Sequence, residues 1–173
     1  MANSYQYDLF LSDCGWVGGV FSVSGLYATT FPMEGREQCL QALGNHINGA
    51  TIAPGGFTAF RSQILSCLAG KGFTEDFEID LANTSDFFAK VWKVCGIIPI
   101  GETRSYSWVA EQIDSPRSFR AVGQAMTKNR LPLIIPCHRV IGKNGDLVGY
   151  AGGRLLKSRL LDAEKRYMGT IHK

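Results

Sequence analysis

The hydrophobic period of this chain changes once, near Thr84, and that change limits the folds open to it. Before it, "SYQYDLFLSDCGWVGGVFSVSGLYATTFP" alternates apolar and polar residues in short runs broken by Asp-Cys-Gly and Ser-Gly. The pattern predicts a small antiparallel sheet of about three strands and two hairpins. "GREQCLQALGNHI" places Cys39, Leu40 and Leu43 at helical spacing, a Gly/Pro/Thr-rich loop follows over 48–56, and "FTAFRSQILSCLAG" reads as a second amphipathic helix. "DFEIDL" is expected to add a short strand. From Thr84 onward the period is helical. The expected fold is therefore α+β: a small N-terminal α/β support domain over 1–83, with an antiparallel sheet and helices, then a mostly helical C-terminal domain over 84–173.

In the second half, Phe87, Phe88, Val91, Trp92 and Cys95 mark one face of a helix that Pro99 and Gly101 stop. "TRSYSWVAEQIDSPRSFRAVGQAMTKNR" then holds two helices around a tight turn. Tyr106, Val109, Ala110 and Ile113 fall on one side of the first. The second is expected to start at Ser115 as N-cap, with Pro116 in the first helical position and Phe119, Val122 and Met126 facing the core. Arg120 lies about 100° around from Phe119 and projects outward. Two short helices so joined resemble a helix-turn-helix. A reader of the major groove offers several long polar side chains to base edges. A lone Arg120 flanked by Ala121 and Gly123 suits a narrow groove, where close approach and one wedge matter more.

Charge is distributed to match. Up to Lys90 the chain carries 4 Lys+Arg against 9 Asp+Glu, and beyond it 14 against 6. A net +3 thus hides an acidic half and a basic one, the latter suited either to a polyanion or to a solvated basic face. No basic, apolar leader and no apolar stretch of spanning length is visible, so an intracellular, cytoplasmic protein without membrane contact is expected.

The five cysteines, at 14, 39, 67, 95 and 137, are odd in number and contain no CxxC pair, which argues against a disulfide framework and a zinc ribbon. Cys39, Cys67 and Cys95 read as core residues. Cys14, Cys39 and His46 would hold zinc only if the fold gathered them; no metal and no cofactor is expected.

Cys137 differs because "LPLIIPCHRVIG" sets it beside His138 and Arg139. A nucleophilic cysteine needs a base or positive field to become a thiolate. His138 can be that base. In extended chain, neighbouring side chains point to opposite sides, so a relay through a water or third group is at least as good as direct contact. Glu164, in the last helix, is the candidate orienter of the imidazole. Arg139 reads as a surface or domain-interface ion pair rather than chemistry, and His46 and His172 are given no role.

"SYSWVA", "SPRSFRAVGQAM", "KNR", "LPLII" before "PCHRV", and "GYAGG" after it, together resemble the methylated-DNA–protein-cysteine methyltransferase family, specifically from about Phe87 to Glu164. The resemblance implies single-turnover repair of O6-alkylguanine in double-stranded DNA, with the nucleotide flipped out through the minor groove. Cys137 would accept the alkyl group, and His138 would take its proton through a water, polarised by Glu164. Tyr106 would donate toward the guanine ring, and Asn129 would tie the turn before Cys137. Arg120, with Ser115, Ala121, Gly123 and Tyr106, would contact DNA. Tyr150, Ala151, Gly152, Pro132, Met126 and Val140 would form the pocket. Some relatives have Ser at the position of Ala151, which here leaves only backbone donation. Phe119 would crowd DNA and is assigned to the core. A monomer is expected, with cooperative loading on DNA left open. The rival readings are a protein that binds alkylated bases without repairing them and a papain-type hydrolase.

Overall fold

The computed structural model describes residues 5–72 and 78–171. Its first half is built on β1 (Gln6–Ser12), β2 (Gly15–Ser22) and β3 (Gly25–Thr29), antiparallel neighbours as the alternation predicts. A two-residue strand, β4 (Thr51–Ile52), pairs parallel with β1 and completes the order β3-β2-β1-β4. The segment expected as a further strand begins at residue 76, outside the described residues; within them, Ile79 makes a single parallel bridge to Leu26.

Two glycines in mid-strand explain how this sheet is covered on both faces. A β-carbon on Gly19 would meet Phe60 Cζ at 2.6 Å, and one on Gly18 would meet Leu43 Cδ1 at 2.9 Å. Phe60 belongs to α2 (Thr58–Leu68) and Leu43 to α1 (Arg36–Leu43), so each helix settles onto bare backbone. Phe60 also packs edge-on against Phe10 and Phe21, with ring centroids 5.9 and 5.4 Å apart.

The second half opens with α3 (Asp86–Gly96), capped by Ser85 Oγ accepting from the Phe88 amide. Val91, Trp92 and Cys95 are buried, and Trp92 Nε1 donates to Ala125 O at 2.9 Å, joining α3 to the helical hairpin. That hairpin is α4 (Tyr106–Gln112) and α5 (Phe119–Thr127). Its second helix starts later than the sequence suggested. Ser115 is not the cap: its carbonyl accepts from both Ser118 N and Ser118 Oγ, a closed turn that holds Pro116 and Arg117 outside the helix. Ser118 becomes the N-cap position and Phe119 the first helical residue.

Cys137 lies in a 3₁₀ turn over Cys137–Arg139, not in extended chain. The turn follows Leu133, whose φ of 72° is a left-handed conformation costing on the order of 1 kcal/mol for a side chain of this kind. The Ile135 N–H to Leu131 O bond closes around it. β5 (Arg104–Ser105) pairs parallel with β6 (Val140–Ile141), fixing the start of α4 against the end of the cysteine turn. The last helix, α6 (Arg154–Ile171), carries Lys157 and Glu164 seven residues apart and hence on one face. No described helix is long and apolar enough to cross a membrane.

One buried cluster runs from Val17, Phe60 and Ile64 of the first half to Val91, Val122, Cys137 and Leu160 of the second. Arg130 clamps the same junction. Its guanidinium donates to the carbonyls of Tyr27, Asp80 and Ala82 at 2.8–2.9 Å and lies 4.2 Å from the Tyr27 ring centroid. The Arg130 carbonyl accepts from Thr29 N. A planar fork serves three carbonyls and a ring at once; an ammonium cannot. Arg130→Ala is expected to lower unfolding free energy by about 2–3 kcal/mol in urea titrations, and Arg130→Lys to restore less than half of it.

Candidate active site

Cys137 is 3 % exposed. Its sulfur accepts from Asn129 Nδ2 at 3.2 Å, and the same amide nitrogen donates to Ile135 O while Asn129 Oδ1 accepts from Leu131 N. One side chain thus braces both ends of the loop that delivers the cysteine and touches the sulfur. Burial pushes the thiol up to about 11, against the opposing pull of the Asn129 bond, the Lys157 charge and the nearby backbone amides. The resting group is a neutral thiol, so nucleophilicity requires a proton acceptor at the moment of reaction.

His138 has the form of that acceptor. Its Nε2 lies 2.7 Å from Glu164 Oε1. An ionised carboxylate only accepts, so Nε2 carries the proton and Nδ1 keeps its lone pair. Nδ1 is buried without a hydrogen-bond partner. Burial first, then the charges of Arg139 and Lys157, hold the imidazolium below its ordinary range in spite of Glu164. The sulfur's bond goes to Asn129 rather than to this ring, consistent with a relay and not with a direct pair.

Glu164 receives more than His138. Arg139 Nε and Nη2 donate to its carboxylate at 2.9–3.2 Å, and the Gly101 amide donates to Oε2 at 3.0 Å. Burial alone would raise this carboxyl; the bonds and charges of His138 and Arg139 outweigh it and bring it to about 2. Arg139 is 6 % exposed, and its Nη1 donates to Ile98 O at 2.7 Å. The expected ion pair exists, but it is not at the surface: it is buried behind the cysteine turn.

Lys157 was not anticipated at all. Fully buried, its ammonium donates to Val140 O at 2.6 Å and Val148 O at 3.4 Å, and burial lowers its pKa to about 8. At neutral pH it remains mostly charged, a cation held beside Cys137. A lysine on the apolar face of the last helix was the available signal, since lysine is almost never fully buried without a reason.

Tyr106 opens onto a groove of about 570 Å³, lined also by Arg120, Gly123, Val148 and Gly149, a size that accepts a small organic group. Its hydroxyl donates to Val148 O at 2.9 Å; burial first, and then proximity to Cys137, whose ionised form would repel a phenolate, raise its pKa. Tyr106 thereby connects groove and sulfur. Tyr150 is close enough to the sulfur to feel its charge, with a buried hydroxyl that has no partner. From the first half, Phe31 packs edge-on against the Tyr150 ring at 5.2 Å, and a β-carbon on Gly152 would meet Phe31 at 2.8 Å. Met126 and Val140 are buried beside the cysteine turn. Pro132 and Ala151 line a narrower crevice with Asn129 and strand β3. Ser115 lies away from the groove, in the hairpin turn, and Ala121 is half-buried. Phe119 is not in the core: it is 47 % exposed and lines the groove. The late start of α5 leaves its side chain beyond the point where Val122 closes the core. Among the described residues no three His, Cys, Asp or Glu side chains gather as a metal site.

Residues 86–166 match the family model described as the DNA-binding domain of 6-O-methylguanine DNA methyltransferase. A methylated-DNA–protein-cysteine methyltransferase from Mycobacterium bovis is 47 % identical over 115 residues, 66 % of this chain and 69 % of that one. The chain belongs to the methylated-DNA–protein-cysteine methyltransferase family. A crystal structure of Mycobacterium tuberculosis OGT in complex with DNA superposes with a TM-score of 0.78 at 37 % identity, covering 93 % of each chain. The O6-methylguanine-DNA methyltransferase of Pyrococcus kodakaraensis, at 23 % identity and a TM-score of 0.70 over 92 % of this chain and 98 % of that one, shares the fold. In this methyltransferase the α+β architecture read from the sequence is therefore that of solved relatives, first half included.

Glu164→Gln should remove the ionised pair while keeping the shape, leaving Arg139 buried without a counter-charge. A loss on the order of 3–5 kcal/mol is expected at pH 7. The carboxyl is held at about 2 when folded, below its unfolded value of roughly 4.3, so its contribution is complete above that value and is lost as pH falls through the folded one. Wild-type and variant stabilities, measured by urea unfolding, should converge between about pH 5 and pH 2; a constant gap would rule out an ionised Glu164.

Proposed function

We propose that the protein repairs DNA by direct reversal, moving an alkyl group from O6 of guanine to Cys137 once per molecule. The observation that carries this reading is the depth of the sulfur: at 3 % exposure it lies beneath the surface, out of reach of any base still stacked in a duplex. A nucleotide rotated out of the stack reaches it, the solution used generally by proteins that do chemistry on a base.

The transfer forms the S–C bond as the O6–C bond breaks. The thiol proton passes through a water to His138 Nδ1, leaving an imidazolium that Glu164 stabilises. The electron pair of the broken bond stays with the purine, which becomes neutral guanine on taking up one proton. Tyr106, after exchanging its bond to Val148 O for one to the ring, lowers the charge that develops there. Tyr150 supplies a pocket wall, and the backbone around Ala151 and Gly152 supplies donors to O6. A thioether does not hydrolyse under mild conditions, so the product is dead protein and repaired DNA.

Residues 84–173 carry this chemistry and the DNA contacts, and residues 1–83 support them; Arg120 enters the duplex as the nucleotide leaves. Incubation with a duplex holding one O6-methylguanine, followed by peptide mass measurement, tests the reading. One added methyl on Cys137 per chain is expected. An unmodified chain that still binds the lesion would make it a binding protein, and repeated turnover on a peptide would make it a hydrolase.

Arg120→Ala is expected to slow transfer from duplex at least tenfold more than transfer from free O6-benzylguanine, in parallel single-turnover assays. Equal losses on the two substrates would remove Arg120 from the flipping step.

A further inference from the structure

We propose that Phe119 is a second DNA-intruding side chain, forming one composite wedge with Arg120; the inference rests on the duplex-DNA reading above and extends it. A singly exposed apolar residue needs no explanation by itself. Three observations set this one apart. The first is its position: Val122 and Met126, three and seven residues on, are 0 % and 4 % exposed, whereas Phe119 at the start of the same stripe is 47 % exposed. The turn closed by Ser118 on Ser115 makes Phe119 the first helical residue, one turn before the buried Val122.

The second is its partner. The Arg120 guanidinium carbon stands 5.8 Å from the Phe119 ring centroid, within cation–π range. Among the described residues, Arg120 meets this ring and forms no salt bridge with a carboxylate. The third is location: both side chains line the groove that Tyr106, Gly123, Val148 and Gly149 share, beside the backbone that would receive the nucleotide.

These features have one physical consequence. An isolated arginine at a helix start samples many rotamers, and ordering it on DNA costs affinity. The ring narrows that ensemble. When the nucleotide leaves the stack, the cation fills the gap and the ring meets the newly exposed face of a neighbouring base or sugar. Apolar wedges of this type are how minor-groove binders hold unstacked steps open. Gly123, one turn on from Phe119 and lining the same groove, lets the backbone come close enough for a side chain as short as phenylalanine to reach.

The test uses the full chain with Cys137→Ala to prevent transfer, and a duplex carrying one O6-methylguanine with 2-aminopurine beside it. Phe119→Ala is expected to weaken duplex affinity about tenfold and to reduce the 2-aminopurine unstacking signal, while Phe119→Tyr restores both. In the Phe119→Ala/Arg120→Ala pair the loss should fall short of the product of the single losses. Unchanged or tighter binding by Phe119→Ala would overturn the proposal, as would a double variant whose losses simply multiply. Thermal unfolding of each variant guards against a folding defect, and Phe119→Leu keeps the comparison if Phe119→Ala is unstable. Wild-type protein is assayed alongside for methyl on Cys137. Its failure would sink the transfer reading and leave the duplex-binding comparison standing as the test of the wedge.

Discussion

Glu164 is the point on which the second half of the molecule is assembled. Its carboxylate sits on the buried face of α6 and receives His138 from the cysteine turn, Arg139 from the next position but one after Cys137, and the Gly101 amide from the segment that leads to α4. Two chain segments are thus referred to one pair of oxygens on a third, α6. A carboxylate in such a place would be strongly destabilised alone. The cost is offset only because a guanidinium and several N–H groups saturate it, and Arg139 extends the network to Ile98 O. The consequence for chemistry is tautomeric. With Glu164 ionised and Nε2 committed to it, the imidazole can offer only Nδ1, so in the proposed transfer the direction of proton flow from Cys137 would be set before any substrate arrives.

How much of this was readable depended on the physical scale of the signal. Period-2 alternation over residues 5–31 is a long pattern with a single cause, and the three-stranded meander followed from it. The same holds for the buried stripe of α3. Asn129, His138 and Glu164 were legible because each residue type has few reasons to occur where it does, and because the family motif links them. The turn chemistry was less legible. Ser115-Pro116 satisfies every rule for a helix start, yet Ser118 bonds back to the Ser115 carbonyl and the helix starts three residues later. That local bond leaves Phe119 at the very start of the helix, where it is exposed rather than buried with Val122. The extended geometry assumed at Cys137 failed for a related reason: the left-handed Leu133 tightens the loop, and no glycine announces it.

Arg139 and Lys157 illustrate a different limit. Both are cations whose partners lie far along the chain, in the carbonyl of Ile98 and the carboxylate of Glu164 for one, and in the carbonyls of Val140 and Val148 for the other. Residue-by-residue reading assigns such side chains to solvent, since that is where most lysines and arginines are. Their burial is visible only once the fold brings α6 against the cysteine turn. Phe31 belongs to the same class. Its edge contact with Tyr150 ties the pocket to the N-terminal sheet, a link between segments more than a hundred residues apart.

Lys157 raises the question of why a fold keeps an ammonium in its interior with backbone carbonyls as its hydrogen-bond partners. Packing does not require it, since an apolar chain of similar length would fill the space. Its position suggests an electrostatic reason. Among the described residues the buried charged groups around Cys137 include Glu164, Arg139 and Lys157, with His138 neutral, so the carboxylate is matched by Arg139 and the lysine charge is left over. A resting thiol gains nothing from that surplus. A thiolate does, and in the proposed transfer so would the partial negative charge spread between sulfur, carbon and O6 as the alkyl group moves. In that reading the interaction would be stronger in the transition state than in the ground state, which is the condition for a charge to accelerate a reaction rather than merely bind. The same ammonium bonds Val148 O, the carbonyl that also accepts from Tyr106. If, as proposed, Tyr106 turns its hydroxyl toward an incoming purine, Lys157 would remain to satisfy that carbonyl, and the loop beside the groove would keep its anchor.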